Sequence, residues 1–234
     1  MPNTWDSDIR KAAEPEQARI LQRFFKTGPG EYGAGDRFLG IKVPVIRTLV
    51  KKYRHDIDLG DIQTLLRSPY HEKRLFSLLL MIEKFRAQQD LRREIFDLYL
   101  DNTAHINSWD LVDVSAPHIA GAFLQDKSRR PLFRLARSRN LWERRIAMVA
   151  TLHFFRQGAS DTALSIAAIL LQDKHDLIHK AVGWMLREIG KYCGPETEET
   201  FLRQHCTTMP RTMLRYAIER FPEAKRRAYL SGTP

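Results

Sequence analysis

The sequence predicts an all-α chain, an α-α superhelix of HEAT-like antiparallel helix pairs stacked into a curved solenoid, on three observations. Apolar residues recur at three- and four-residue spacing in nearly every segment. No run alternates apolar and polar side chains as a half-buried strand would. Pro15, Pro44, Pro69, Pro131, Pro195, Pro210 and Pro222 each stand just before or within the first turn of a helical pattern, where the missing N–H costs least. The prolines delimit roughly a dozen helices of about 9 to 18 residues, joined by short loops. A helix pair then takes about 35 to 45 residues, the length of a HEAT-like repeat. Similarity between the units is weak, so an irregular all-α globule is the alternative architecture. Without a Gly/Ser linker or a low-complexity tract, residues 1–234 read as one continuous domain.

Along the chain, Gly28, Gly30 and Gly33 match the G-x-G-x-x-G string, but the fingerprint binds a dinucleotide only between a strand and a helix. Here it follows the helical Arg23-Phe24-Phe25-Lys26, so Gly28 to Gly35 reads as a flexible turn. Further on, Ser108 is placed to cap a new helix, which puts Trp109 and Asp113 at i and i+4 on one face. Pro117 cannot donate to the carbonyl of residue 113, so the helix should kink or reset there. From Leu141 to Gln157 the pattern leaves almost no polar face. Arg144 and Arg145 interrupt that buried helix and need either a carboxylate partner or a cleft.

His175 and His179 have the i, i+4 spacing of a zinc-binding helix, but Asp176 stands where a metalloprotease has its glutamate, and no third ligand follows. They read as surface histidines at a helix start. On the helix 177–192, a wheel places Ile178, Ala181, Val182, Met185, Ile189 and Tyr192 in the core sector. Lys180, Trp184, Arg187 and Lys191 fall opposite. A tryptophan is thus expected on a basic face, either packed on a neighbouring repeat or serving as an aromatic plate beside phosphate-binding cations. Cys193 and Cys206 form no C-x-x-C pair, which argues against structural zinc.

Composition narrows the function. The chain has 234 residues, is 43% hydrophobic and 10% aromatic, and has no apolar run near the roughly 18 residues of a membrane span, which excludes disordered and membrane-spanning classes. Its acidic N-terminus is unlike a signal peptide, so a cytoplasmic protein with reduced cysteines is expected. Lys and Arg total 38 against 28 Asp and Glu, a formal charge of +10. Most of the excess lies in residues 127–156, which hold nine basic side chains and one acid, Glu143. Eight of the nine are arginine, whose planar fork suits phosphate, so a nucleic acid is the expected partner.

These strings together resemble the AlkD-like DNA alkylation repair proteins, a family of HEAT-like-repeat DNA glycosylases. The resemblance runs through Gly33-Ala-Gly-Asp-Arg-Phe-Leu-Gly-Ile41 with Pro44, Ser108-Trp-Asp-Leu-Val-Asp113, Leu141-Trp-Glu-Arg-Arg-Ile146 and Lys180-Ala-Val-Gly-Trp-Met-Leu-Arg-Glu188. It implies a catalytic cluster of Trp109, Asp113, Arg145 and Trp184, and DNA contacts from Lys42, Arg144, Lys180, Arg187 and Lys191. Lys42 replaces a neutral glutamine of well-studied members, and Phe24 stands for an aromatic that some members place in the first helix. The implied activity is hydrolysis of the N-glycosidic bond of N3- or N7-alkylated purines in duplex DNA, without metal or organic cofactor, by a monomer associated with the nucleoid. A non-catalytic DNA-binding solenoid or a protein scaffold would show the same charge and periodicity.

Overall fold

A computed structural model describes residues 4–233, and among them every regular element is helical. Among the described residues, the one β-type contact is an isolated parallel bridge between Arg37 and Tyr70. No described helix is long and apolar enough to cross a membrane. The helices form two compact units divided between Ser115 and Ala116.

The first unit contains α1 (Thr4–Lys11), α2 (Pro15–Phe24), α3 (Val43–Tyr53), α4 (Leu59–Leu66), α5 (His71–Ala87), α6 (Arg92–Asp101) and α7 (Trp109–Ser115). Its centre is α5, whose residues Leu75 to Ile82 are all buried and which packs against α3, α4, α6 and α7. A helix buried on nearly all sides is what the continuous apolar run Leu78-Leu-Leu-Met-Ile82 dictates. The second unit opens with a π-helical turn, Pro117–Gly121, and continues through α8 (Arg130–Leu135), α9 (Leu141–Ala150), α10 (Leu152–Phe155), α11 (Asp161–Leu170), α12 (Asp176–Tyr192), α13 (Pro195–His205), α14 (Arg211–Ala217) and α15 (Glu223–Ser231). Here α12 is central and packs on α9, α11, α13 and α14. Gly183 makes the α12–α14 approach possible, because a Cβ there would lie 2.4 Å from the carbonyl oxygen of Met213.

The prolines behave as the sequence predicts: Pro15 and Pro195 begin α2 and α13, and Pro210 and Pro222 cap α14 and α15. Several helices are shorter than expected; α7 and α14 have 7 residues, α8 has 6 and α10 has 4. The single helix expected over Leu141 to Gln157 is two, because the buried Thr151 hydroxyl donates to the Met148 carbonyl at 2.6 Å and the backbone tightens there. Pro117 does reset its helix. The ladder from α7 stops at Ser115, and the Gly121 amide donates five residues back, to Ala116, at 2.9 Å. Gly28 to Gly35 is a series of turns after α2, with Gly30 and Gly35 at φ +79° and +84°.

His175 and His179 do not act as a pair. Nδ1 of His175 accepts the Leu177 amide as a cap on α12, whereas Nε2 of His179 lies 2.6 Å from the Asp173 carbonyl. Cys193 and Cys206 are both free thiols.

Candidate active site

Trp109 and Asp113 open successive turns of α7, both half-buried. Trp109 is held by aromatic stacking: its ring lies 5.5 Å from Phe25, nearly parallel at 20°, and 6.2 Å edge-on from Phe24, which is 62% exposed. Phe25 stacks in turn on Phe38 at 5.1 Å and 21°. The end of α2 thereby fixes one face of the Trp109 indole. Ser108 does stand immediately before α7, but its hydroxyl donates to Oδ1 of Asp110 at 2.6 Å. Asp113 lies close enough to the buried Tyr99 hydroxyl to influence it: burial raises the Tyr99 pKa and the Asp113 charge adds to that shift. Tyr99 donates to Ser115 at 2.9 Å, and Ser115 donates to the Leu111 carbonyl at 2.6 Å, tying the second turn of α7 to α6.

Beneath Trp109 lies a charged cluster. His71, the first residue of α5, is 2% exposed and faces Asp36 Oδ2 with Nδ1 at 3.2 Å and Asp110 Oδ2 with Nε2 at 2.8 Å. Asp36 also accepts from the buried Arg74 guanidinium. Burial alone would lower the His71 pKa, but the bonds to Asp110 and Asp36 reverse the sign and raise it to about 9. Burial likewise works to raise the Asp110 pKa, and the His71 and Ser108 hydrogen bonds outweigh it, leaving the carboxyl below its usual range.

The loop before α3 is set by a second buried carboxylate. Glu72 Oε1 accepts the Gly40 amide at 2.7 Å and the Ile41 amide at 3.2 Å, and Oε2 accepts the Leu39 amide at 2.9 Å. Gly40 has φ +84°, and a Cβ there would meet the Glu14 carbonyl oxygen at 2.0 Å. Lys42 follows directly, exposed, with its Nζ 3.9 Å from Glu14 Oε2.

In the second unit the face assignment on α12 holds for five of its six core positions. Ile178, Ala181, Val182, Met185 and Ile189 are fully buried, and Trp184 is half-buried on the other side. Tyr192 departs from the wheel: it is 38% exposed, with Lys191 Nζ 4.8 Å and Arg156 5.6 Å from its ring. Near the end of the helix Phe155, 6.4 Å away between ring centroids, and these two cations cover it only in part. Arg145 is 5% exposed and donates to the Leu177 carbonyl at 2.6 Å, so α9 is fastened to the first turn of α12.

The cations expected at DNA sort into two kinds. Arg144 grips Asp173, Nε to Oδ2 at 2.6 Å, and also donates to the Ser138 and Arg139 carbonyls. Arg187 pairs with Glu188 at 3.4 Å and with Glu219. Lys180 makes an exposed pair with Asp176 at 2.7 Å, and Lys191 is exposed over Tyr192. Of the nine basic residues in 127–156, Lys127, Arg130, Arg134, Arg137, Arg139 and Arg156 are exposed. Among the described residues, no group of three or more His, Cys, Asp and Glu could hold a metal ion.

A sequence model of the DNA alkylation repair enzyme family matches residues 6–221. The chain belongs to this DNA alkylation repair family. A solved structure described as a predicted DNA alkylation repair enzyme from Enterococcus faecalis aligns with a TM-score of 0.68, covering 90% of this chain and 97% of that one, at 17% identity. At that identity the likeness is one of fold. No curated protein sequence matches this chain with significance. For an alkylation repair protein, DNA is the partner that the family implies, and its role lies in the repair of alkylation damage.

Phe25, Asp36, His71, Glu72 and Asp110 carry no role in the sequence reading. Asp110 lies inside the Ser108-to-Asp113 string, and an acid in the first turn of a helix is the local hint it offers.

Proposed function

We propose that this repair protein is a DNA glycosylase that releases cationic N3- and N7-alkylated purines from duplex DNA, without metal or organic cofactor. The observation that supports it most is the pairing on α7 of a half-buried carboxylate, Asp113, with an indole one turn away that is stacked in place by Phe25. A DNA-binding scaffold has no chemical need for that pairing. Alkylation leaves the purine positively charged, so the C1′–N bond breaks with its electron pair returning to the base, and no acid need protonate the leaving group. The barrier lies in the positive charge that develops on the deoxyribose. Asp113 stabilises that charge and takes a proton from the water whose oxygen adds to C1′. Trp109 presents its π face to the sugar cation. In the second unit, Trp184 offers DNA a half-buried indole, and Arg145 reaches a phosphate only by leaving the Leu177 carbonyl.

Lys42, Lys180 and Lys191 hold backbone phosphates. Arg144 and Arg187 join them only by exchanging the carboxylates that now engage them, so their share of the affinity is smaller. The protein acts as a cytoplasmic, nucleoid-associated monomer, with both units serving one repair domain.

Incubation with methylated duplex tests the proposal. Release of free 7-methylguanine with equimolar abasic sites is the expected result, abolished in Asp113→Asn. Salt-sensitive duplex binding without release would mark a non-catalytic DNA-binding protein.

A further inference from the structure

The His71 cluster has no part in the chemistry above, yet it touches the element that carries it. α7 is 7 residues long, too short to hold its own geometry without tertiary support. Its second residue, Asp110, is anchored on one side by Ser108 and on the other by His71. His71 in turn is locked from three directions. Asp36, on the loop after α2, takes its other nitrogen; the Phe25 and Phe38 rings pack against its ring with centroids at 4.9 and 4.6 Å; Arg74, on its own helix, neutralises the second oxygen of Asp36. Phe25 is shared, since it stacks on both His71 and Trp109. An imidazole facing a carboxylate with each nitrogen satisfies both only when both nitrogens carry hydrogen. Asp36, Asp110 and Arg74 are the charged groups that act on it.

We infer that His71 is the positioning residue of the catalytic helix: by bridging Asp36 and Asp110 beneath the Phe25–Trp109 stack, it fixes the start of α7 and so the aim of Trp109 and Asp113. The inference rests on the glycosylase reading for its consequence, and on geometry alone for its structural half. Misplacement of a reacting group by about an ångström costs up to roughly 100-fold in rate while leaving remote binding contacts intact.

His71→Phe keeps an aromatic ring against Phe25 and Phe38 and removes both N–H groups; His71→Gln retains one donor. Two measurements on the full-length protein separate the outcomes. The first is single-turnover release of 7-methylguanine at saturating enzyme, with duplex affinity measured alongside. His71→Phe is expected to lower the rate tenfold or more with affinity changed less than about threefold, and His71→Gln to recover part of the loss. Asp110→Asn, which takes the charge out of the same link and leaves one acceptor oxygen where Ser108 and His71 now use two, should lower the rate in the same direction, and the double variant should be no slower than His71→Phe alone.

The second measurement is amide hydrogen exchange, which needs no activity. His71→Phe should accelerate exchange in residues 109–115 while α3 and α4 keep wild-type protection. If His71→Phe does not fold, Asp110→Asn carries both measurements, with effects expected in the same direction. An unchanged rate with unchanged exchange overturns the inference, as does a uniform rise in exchange across the first unit with affinity falling in step. If the wild-type protein releases no base, the glycosylase reading fails, and the exchange result alone decides: a local rise supports the positioning role, and an unchanged or uniform response overturns it.

Discussion

The two tryptophans proposed to act on the sugar are supported in different ways. Trp109 stands on a helix of 7 residues and depends on a cluster of Phe25, Phe38 and His71 drawn from the C-cap of α2, the following loop and α5. Trp184 stands in the middle of a helix of 17 residues whose opposite side is fully buried. One position is rigid because distant side chains converge on it, the other because its own helix is long and well packed. The first arrangement is vulnerable at many residues, the second at few.

The comparison breaks most readily at Trp109. Trp109→Ala should lower the rate of base release about 100-fold, and Phe25→Ala, at a buried position behind the indole, should lower it about tenfold or more by loosening the ring. For Trp184 no single neighbour should matter as much; Ile178→Val, a buried change on the same helix, should lower activity less than twofold at about 1 kcal/mol of stability. Equal sensitivity of both sites in single-turnover assays would remove the distinction.

Glu72→Ala should cost the fold about 3 kcal/mol, because it leaves the amides of Leu39, Gly40 and Ile41 without their buried acceptor. Urea denaturation measures it, and an effect below about 1 kcal/mol would show that the loop takes other partners.

His71 gives the first unit a pH dependence. Its pKa is raised in the folded state, to about 9 from an ordinary 6.5, so its contribution is fully present below about pH 6.5 and is lost as pH rises through 9. Thermal stability of the wild-type protein should fall over that interval, and His71→Phe should flatten this part of the profile. The smallest effects belong to the surface. Lys191→Ala should weaken duplex binding a few-fold and reduce the salt slope by about one, whereas Arg144→Ala, which breaks the Asp173 pair, should act more on melting temperature than on the slope.

Much of the fold was legible because helical periodicity and proline placement are local signals. Ile178, Ala181, Val182, Met185 and Ile189 are buried as a wheel of one helix requires, and Pro117 resets the chain by chemistry contained in a single residue. Tyr192 was misplaced because a wheel assumes full cover along the whole helix. The candidate site was legible where its residues share a helix, as Trp109 and Asp113 do. Its supports were not, since Asp36, His71 and Asp110 lie 35 and 39 residues apart in consecutive pairings through His71 and acquire meaning only when α5 meets the loop and α7. Arg144 and Arg187 look alike in sequence to exposed cations, and only the folded chain supplies Asp173 and Glu219 to engage them.

The central claim is that the carboxylate on α7 does chemistry and does not merely shape a DNA-binding surface. Single-turnover release of 7-methylguanine by Asp113→Asn, with duplex affinity measured on the same preparation, addresses it directly. A rate at least 100-fold below wild type is expected, with affinity unchanged within about threefold. Release at the wild-type rate would contradict it.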